Sequence, residues 1–324
     1  MKTDLHNSPL GARGKVLVCP LNWGLGHATR CVPIIRKLVA EGHEVVVVAD
    51  GFPLAFLRQE FPTLRFIEFP SYEVYYATGK SQVSAMIFNM PNIIKGIVKE
   101  HFWLRNLLQS EHFDRIISDN RFGMWSKRIY SIYITHQLMV KMPANLTFLE
   151  MLVHCIHKAF INRYDECWIP DYTENFGLSG DLAHKYPLTR NAKFIGTLSR
   201  FHGMENTQST TVYEVVAVIS GVEPQRTIFE EGLLQQFRNR PEKMLIVRGQ
   251  PQVEKDQSRI GNVTFISHLP DIELAAVLLG AKKIICRSGY SSIMDLDALK
   301  CMHKAELVPT PGQTEQEYLF SIHS

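Results

Sequence analysis

Short, almost wholly apolar runs alternate with helical patterns along both halves of the chain, and this alternation constrains the fold more than any other feature. Lys15–Leu21 (KVLVCPL) is one such run and Val45–Asp50 (VVVVAD) is the next, with apolar residues at helical spacing between them. A continuous apolar run of this length is typical of a strand buried on both faces of a parallel sheet. The pattern predicts strand–helix–strand units whose strands end in polar residues, at the sheet edge where ligands bind.

Two series of such units are separated by a polar stretch. Further apolar runs of the first half are LRFIEFP, FDRIISDN, SIYITHQ and DECWIPD, and those of the second half are EVVAVIS, KMLIVRG, NVTFIS, KKIICRSG and AELVPT. The stretch between them, GTLSRFHGMENTQSTT over residues 196–211, has little apolar content and indicates an interdomain linker. We therefore predict an α/β protein with two Rossmann-like domains facing across a cleft, comprising residues 1–197, a linker over 198–212, and residues 213–324.

Composition excludes several classes of protein. The chain has 324 residues, 45% of them hydrophobic and 21% charged, which is the balance of a soluble globular protein. A net charge of only +3 argues against a nucleic-acid-binding protein. The six cysteines form no C-x-x-C pair, and neither a signal peptide nor an unbroken run of about 18 apolar residues is present. The expected location is the cytoplasm, and the oligomeric state is left open.

The stretch CPLNWGLGHATRCVP, residues 19–33, places two glycines where the first strand gives way to a helix. Gly24, Gly26 and Asp50 fit part of a dinucleotide-binding fingerprint, but Thr29 stands at its third position. An NAD-dependent oxidoreductase is therefore one alternative. The glycines indicate a close backbone approach at a helix N-terminus, which favours an anion such as a phosphate or a charged acceptor, with His27 at the mouth of that site.

A second turn lies in the stretch from Ile284 to Leu319, where a strand ending at Cys286 leads through Ser-Gly into a helix. Ser291 and Ser292 are suited to capping this helix and to contacting phosphate. Asp295, about one helical turn further on, is placed to reach a ribose when a diphosphate occupies the turn. After the next strand, the cluster PGQTEQE can hydrogen-bond sugar hydroxyls through the residues Gln313, Glu315, Gln316 and Glu317.

Both turns together resemble the MurG-like glycosyltransferases of family 28, which have a two-Rossmann-domain (type B) architecture. The resemblance spans nearly the whole chain. It implies inverting transfer of a hexose or related sugar from a nucleoside-diphosphate donor, usually UDP-linked, without an essential metal or other cofactor. Family members continue with further strand–helix structure beyond the position where this chain ends, so the resemblance also implies that the C-terminal domain is incomplete.

The resemblance also implies a donor site. Ser288, Gly289, Tyr290, Ser291 and Ser292 form the turn that meets the diphosphate. Asp295 stands where the family has a ribose-binding glutamate, Gln316 and Glu317 match a Gln-Gln pair that contacts the donor sugar, and Ile266 falls where the family meets the base. Gly221 belongs to the segment ISGVEPQR, residues 219–226, which matches the loop after the first strand of the C-terminal domain.

Sugar transfer needs groups that act on developing charge. Arg226 and Arg287 are candidate cations for the leaving diphosphate, in support of the helix N-terminus. The acceptor hydroxyl must lose a proton, so a general base is needed on the N-terminal domain. His27 and Asp119 are the candidates, whereas a structural hydrogen bond is the favoured role for His136. His154 and His157 share a helix face but have no partner at metal-ligand spacing, so no metal site is predicted.

The acceptor is less constrained by the sequence. Residues 86–108 combine apolar and aromatic side chains with Lys95, Lys99 and Arg105. This pattern fits either a helix that rests on an anionic membrane surface, where it reaches a lipid-linked or cell-envelope acceptor, or a buried helix with extended lysines. The first interpretation implies peripheral attachment at the inner face of the membrane. A catalytically degenerate sugar-nucleotide-binding protein is the remaining alternative.

Overall fold

The computed structural model describes residues 13–70, 82–142, 144–209, 212–251 and 256–324. Within these ranges the strands form two sheets, one in each half of the chain, with helices packed on them. This α/β arrangement of two Rossmann-like domains confirms the predicted fold class. The predicted domain boundaries remain a prediction, although the first sheet ends at Phe194 and the second begins at Val215.

The N-terminal sheet has seven parallel strands in the order β3-β2-β1-β4-β5-β6-β7. Its strands are β1 (Lys15–Pro20), β2 (Glu44–Ala49), β3 (Arg65–Glu68), β4 (Arg115–Asp119), β5 (Tyr130–Ile134), β6 (Glu166–Ile169) and β7 (Ala192–Phe194). The order reverses at β1, and β4 pairs with it in register from Val16–Arg115 to Pro20–Asp119. Ligands bind at such a reversal point in open parallel sheets. The ends of β1 and β4 therefore mark the ligand-binding edge of this domain.

The C-terminal sheet has six strands in the order β10-β11-β9-β8-β12-β13, and only β10 runs antiparallel to its neighbour. Its strands are β8 (Val215–Val218), β9 (Met244–Val247), β10 (Gln257–Ile260), β11 (Val263–Ile266), β12 (Lys283–Arg287) and β13 (Ala305–Val308). The order again reverses beside the first strand of the domain, between β8 and β12. The Ser-Gly turn follows β12, so it lies at the ligand-binding edge of this second sheet.

The described helices flank both sheets. They are α1 (Gly26–Ala40), α2 (Gly51–Glu60), α3 (Gln82–Ser110), α4 (Glu150–Ile161), α5 (Asp181–His184), α6 (Gln225–Phe237), α7 (Asp271–Gly280), α8 (Tyr290–Ala298) and α9 (Thr314–His323). Short 3-10 helices span Ala144–Leu149 and Met302–Lys304. The central strands are buried along almost their whole length, because helices cover both faces of each sheet.

The predicted linker packs more closely than its polar composition suggests. Phe201 is 1% exposed and belongs to the apolar core of the C-terminal domain, together with Leu182 from the N-terminal half. Arg200 lies over the Phe201 ring at 4.8 Å. One large aromatic residue therefore anchors the connection between the domains. The low average apolar content of residues 196–211 does not show that this single residue is buried.

We expect Phe201→Ala to lower the free energy of unfolding by about 3–5 kcal/mol, because it empties a fully buried aromatic site. Urea unfolding followed by circular dichroism measures the change. Phe148→Ala is the matched control: its side chain is 72% exposed, and little loss of stability is expected from it. Equal effects of the two substitutions would show that Phe201 does not contribute to the core as described.

Candidate active site

The first turn of α1 and the end of β4 bring together the two residues predicted as alternative bases. His27 is the second residue of α1, and Asp119 is the last residue of β4. His27 Nδ1 lies 2.7 Å from Asp119 Oδ1. The Asp119 carboxylate is completely buried, whereas the His27 side chain is 12% exposed. The pair is thus one unit, with the carboxylate inside and the imidazole toward the cleft.

Arg30, which the sequence analysis did not single out, holds this unit in place. It lies one turn after His27 on α1, and its Nε and Nη2 donate to the two carboxylate oxygens of Asp119. Burial alone would disfavour the Asp119 anion, but Arg30 and His27 more than offset this and lower the pKa of Asp119 to about 2. Asp119 is therefore ionised near neutral pH, and its predicted role as a base remains a prediction.

The same geometry fixes the proton on His27. Its Nδ1 also lies 2.9 Å from Arg30 Nη2, a donor with two hydrogens of which one goes to Asp119, so Nδ1 faces both a donor and an acceptor, and the carboxylate oxygen is the nearer of the two. An unprotonated Nδ1 would set its lone pair against a carboxylate oxygen at 2.7 Å, so Nδ1 carries the hydrogen and donates it to Asp119. Nε2 is then the basic nitrogen. Burial lowers the pKa of His27 below its ordinary value, and Asp119 partly opposes this effect.

The start of α8 faces the start of α1 across the domain boundary. Ser291 Oγ donates to the Gly26 carbonyl at 3.1 Å, so His27 directly follows a residue in contact with the C-terminal domain. Gly24 and Gly221 both have positive φ, and a side chain on Gly24 would come within 3.9 Å of Gly221 Cα. Two helix N-termini, neither with an acidic residue in its first turn, thus converge where an anion is favoured.

The turn before α8 has open space beside Gly289, whereas Ser288 is hydrogen-bonded to the segment that begins α9. A side chain on Gly289 would meet no atom within 4 Å, whereas Ser288 is buried and its hydroxyl donates to the Gln316 carbonyl at 2.8 Å. Gln316 Oε1 accepts from the Thr310 amide, and Glu317 Oε1 accepts from the Gly312 amide. Gln313 caps α9. The PGQTEQE cluster is therefore folded against the α8 turn, as its predicted role in binding the donor sugar requires.

Other residues of the predicted donor site already have protein partners. Asp295 accepts from Ser199 Oγ at 2.6 Å and from Arg200 Nε at 3.4 Å, and burial raises its pKa. The Tyr290 hydroxyl donates to the Pro170 carbonyl at 2.7 Å. Arg287 is buried and donates to the carbonyls of Pro309 and Gln225. Their predicted roles toward a donor remain predictions.

The last two predicted donor contacts lie on the β9–β11 side of the C-terminal sheet. Arg226 Nη1 donates to the Arg248 carbonyl at 2.9 Å, and its Nε donates to Glu223. Ile266, at the end of β11, is 8% exposed, so only a small part of its side chain is available to a base. The predicted roles of Arg226 and Ile266 toward a donor remain predictions.

His136 and Glu315 join the cluster around Asp119. Arg30 Nη1 donates to His136 Nδ1 at 3.0 Å, and His136 Nε2 lies 2.8 Å from Glu315 Oε1. The His136 ring also stacks on Tyr290, with ring centroids 4.2 Å apart. The structural hydrogen bond predicted for His136 is present, and its partners come from both domains. The sequence could have indicated Arg30, because it lies three positions after His27 and therefore on the same face of the helix.

The described residues contain neither a candidate metal site nor a helix that could span a membrane. No group of three or more His, Cys, Asp or Glu side chains among them is arranged to hold a metal ion. His157, considered above as a metal ligand, shares a hydrogen bond with the Tyr133 hydroxyl. Burial lowers the pKa of His157 to about 4. In the same part of the chain, no helix combines the length and the apolar character needed to cross a bilayer.

Solved structures identify the fold. The glycosyltransferase of kitacinnamycin superposes with a TM-score of 0.55 at 15% identity, covering 97% of this chain and 96% of its own. The spinosyn rhamnosyltransferase SpnG superposes with a TM-score of 0.58 at 13% identity, and the match covers 95% of this chain and 83% of SpnG. The chain has the type B glycosyltransferase fold. MurG of Acinetobacter baumannii superposes with a TM-score of 0.50 at 12% identity, and the match covers 96% of this chain and 83% of MurG. No protein-family model and no curated protein sequence matches the chain.

The contact between the two helix starts predicts a specific coupling. A side chain on Gly26 would lie 2.8 Å from Ser291 Oγ, so we expect Gly26→Ala to lower the melting temperature by several degrees. In a Ser291→Gly background the same change should cost little, because the obstructing atoms are gone and alanine favours a helix. A double-mutant cycle by thermal unfolding measures the coupling. Additive effects would contradict the described contact.

Proposed function

We propose that the chain is an inverting glycosyltransferase that uses a nucleoside-diphosphate sugar, with His27 as the general base. The observation that carries the proposal is the His27–Asp119 pair, which Arg30 holds in place. His27 directly follows Gly26, whose carbonyl is in contact with α8. A base oriented by a carboxylate and a helix N-terminus suited to a diphosphate are the two parts that sugar transfer requires. The type B fold supports the same conclusion.

In this mechanism His27 Nε2 takes the proton of the acceptor hydroxyl, and Asp119 keeps the ring oriented while its charge stabilises the imidazolium. The acceptor oxygen forms a bond to the anomeric carbon from the face opposite the leaving group. The bond from that carbon to the diphosphate oxygen breaks, and its electron pair leaves with the diphosphate. The amides at the start of α8 stabilise that developing charge. The sugar is thereby transferred with inversion.

We infer a UDP-linked donor from the resemblance to the MurG-like enzymes. Ser291 and Ser292 would contact the diphosphate, and Asp295 would hold the ribose in exchange for its bonds to Ser199 and Arg200. Gln316 and Glu317 would meet the sugar. No metal or other cofactor is required by this scheme, because the helix N-terminus supplies the stabilising charge.

The dinucleotide alternative is weaker at the same turn. The Gly26 carbonyl accepts from Ser291, so the first turn of α1 lies against α8 where a pyrophosphate would bind. Asp50, the residue expected to hold a ribose, precedes α2 and accepts from Asn22 Nδ2 at 3.2 Å.

We further propose a lipid-linked acceptor at a membrane surface. Four apolar residues at intervals of four form an exposed stripe on α3, namely Met90, Ile94, Val98 and Phe102. The exposed basic residues Lys95, Lys99 and Arg105 lie on the same helix. A second set of exposed apolar residues lies at α4 and the turn before it, namely Phe148, Met151, Leu152 and Ile156. An apolar stripe with basic neighbours suits an anionic bilayer.

The donor and the base are tested together. We expect UDP to stabilise the chain against heat more than GDP, TDP or NAD, because only the folded protein binds it. We expect His27→Gln to retain that stabilisation while kcat for UDP release from a UDP-sugar falls by about 10²–10⁴-fold, with a membrane lipid extract as acceptor. His112→Gln, which changes an exposed histidine of the same domain, is the matched control.

The pH dependence follows from the lowered pKa of His27. Protonated His27 cannot accept the acceptor proton, so the rate should fall with decreasing pH, with a midpoint below the ordinary value of about 6.5. The pH–rate profile of His27→Gln should lack this decrease at acid pH. Stabilisation by NAD alone, or a His27→Gln variant with undiminished kcat, would contradict the proposed function.

Membrane attachment is tested separately. We expect the chain to co-sediment with phosphatidylglycerol vesicles and much less with phosphatidylcholine vesicles, because both apolar contact and basic residues contribute. Ile94→Ser with Phe102→Ser should reduce sedimentation several-fold, and Ile228→Ser, an exposed apolar residue of the C-terminal domain, should not. Equal binding of all variants would remove the support for α3 as the attachment surface.

A further inference from the structure

A continuous series of hydrogen bonds links the donor-side domain to the proposed base. It runs from Glu315 in the first turn of α9 to His136 after β5, then to Arg30, and from there to Asp119 and His27. Glu315 and His136 are 179 residues apart in sequence, and they belong to different domains. Arg30, Asp119 and His136 are all buried. The Glu315 side chain is 32% exposed, but the residues that connect it to His27 are buried.

The donors and acceptors of this series follow from its chemistry. Arginine only donates, so His136 Nδ1 is an acceptor and its ring hydrogen sits on Nε2. That hydrogen points to Glu315 Oε1 at 2.8 Å. Burial opposes ionisation of Glu315, but His136, Arg30 and His27 favour its anion and keep its pKa below the ordinary value. Glu315 is therefore a carboxylate at neutral pH.

The charges then show why a second carboxylate matters. Arg30 neutralises Asp119, and it lies 2.9 Å from His27 Nδ1, where it opposes a positive charge on that ring. With both histidines neutral, one cation and two carboxylates leave the cluster with a net charge of −1. When His27 takes a proton, the cluster becomes neutral. Glu315 supplies the negative charge that the imidazolium needs.

The other titratable groups around the cluster do not supply that charge. The Cys31 thiol lies 3.8 Å from Asp119 Oδ2, and burial raises its pKa well above the ordinary value. Tyr290 stacks on His136, and burial likewise raises the pKa of its phenol. Both groups stay neutral at physiological pH. Asp171 is a further carboxylate beside Tyr290, but it binds Ser179 and His184. Glu315 is thus the carboxylate, not neutralised by Arg30, that the hydrogen-bond series joins to His27.

We propose that Glu315 is a positioning residue for proton transfer: acting through His136 and Arg30, it makes His27 a stronger base while the two domains are in contact. The inference rests on the proposed function and deepens it. Because Glu315 belongs to the C-terminal domain, separating the domains removes its charge from the cluster. Deprotonation of the acceptor is thereby coupled to docking of the domain that holds the donor.

The direct test is a titration of His27 by NMR in the full-length chain labelled at its histidines, with the His27 signal assigned through His27→Gln. We expect Glu315→Gln to lower the pKa of His27 by about 0.5 or more, since it removes a negative charge near the ring. Glu306→Gln removes a carboxylate of the same domain that pairs with Lys283, and it should leave the pKa of His27 unchanged.

A second variant and a kinetic readout separate positioning from sugar contact. If the charge of Glu315 acts through His136, Glu315→Gln should change the pKa of His27 less in a His136→Gln background, while Glu315→Asp, which keeps the charge, should restore part of the loss. In UDP-sugar turnover, Glu315→Gln should lower kcat several-fold and move the acid limb to lower pH, with KM for the donor unchanged. A raised KM with an unaltered His27 pKa would mean that Glu315 contacts the sugar, and would overturn the proposal.

The two proposals fail in different ways. The NMR titration needs no substrate, so an absence of sugar transfer would reject the proposed function while the coupling could still be measured. Conversely, turnover that depends on His27, together with an identical His27 pKa in the parent chain and in the folded Glu315→Gln variant, would reject the coupling alone. A well-dispersed spectrum in each variant confirms that it is folded.

Discussion

The buried ion pair between Arg30 and Asp119 is the interaction on which the site depends. Removing two charges from water is costly, and such a pair is tolerated only where the remaining polar atoms have partners. Here Asp119 also binds His27, and Arg30 also binds His136. Loss of either charge would leave the other buried and uncompensated. The pair fixes α1 against the end of β4, and thereby sets the position of His27.

The meeting of α1 and α8 supports the proposed binding of a diphosphate. Two helix N-termini carry partial charges of the same sign, so their approach is unfavourable without an anion between them. The Ser291–Gly26 hydrogen bond and the Tyr290 hydroxyl on Pro170 hold them together nonetheless. A bound diphosphate would replace mutual repulsion by attraction to both. The arrangement therefore favours a ligand with two phosphates over a neutral one.

The sequence predicted the buried strands well, because residues that face helices on both sides must be apolar. It missed β7, which has only three residues, and β10, whose four residues are all exposed at the sheet edge. His27 and Asp119 were recognised singly, but 92 residues separate them, and no local pattern shows that they form one unit. The partnership of Glu315 with His136 was equally beyond reach, since it depends on how two domains meet.

Helix α1 carries contacts to the C-terminal domain at both of its ends. Near its start, Arg30 connects through His136 to Glu315. Six residues later, Arg36 donates to Asp271 at the start of α7 and to the Arg200 carbonyl, and Arg200 in turn binds Asp271 and Asp295. A rotation of one domain against the other must therefore strain both sets of bonds through the same rigid helix. Because His27 lies in the first turn of that helix, the orientation of the base and the relative position of the domains cannot change independently.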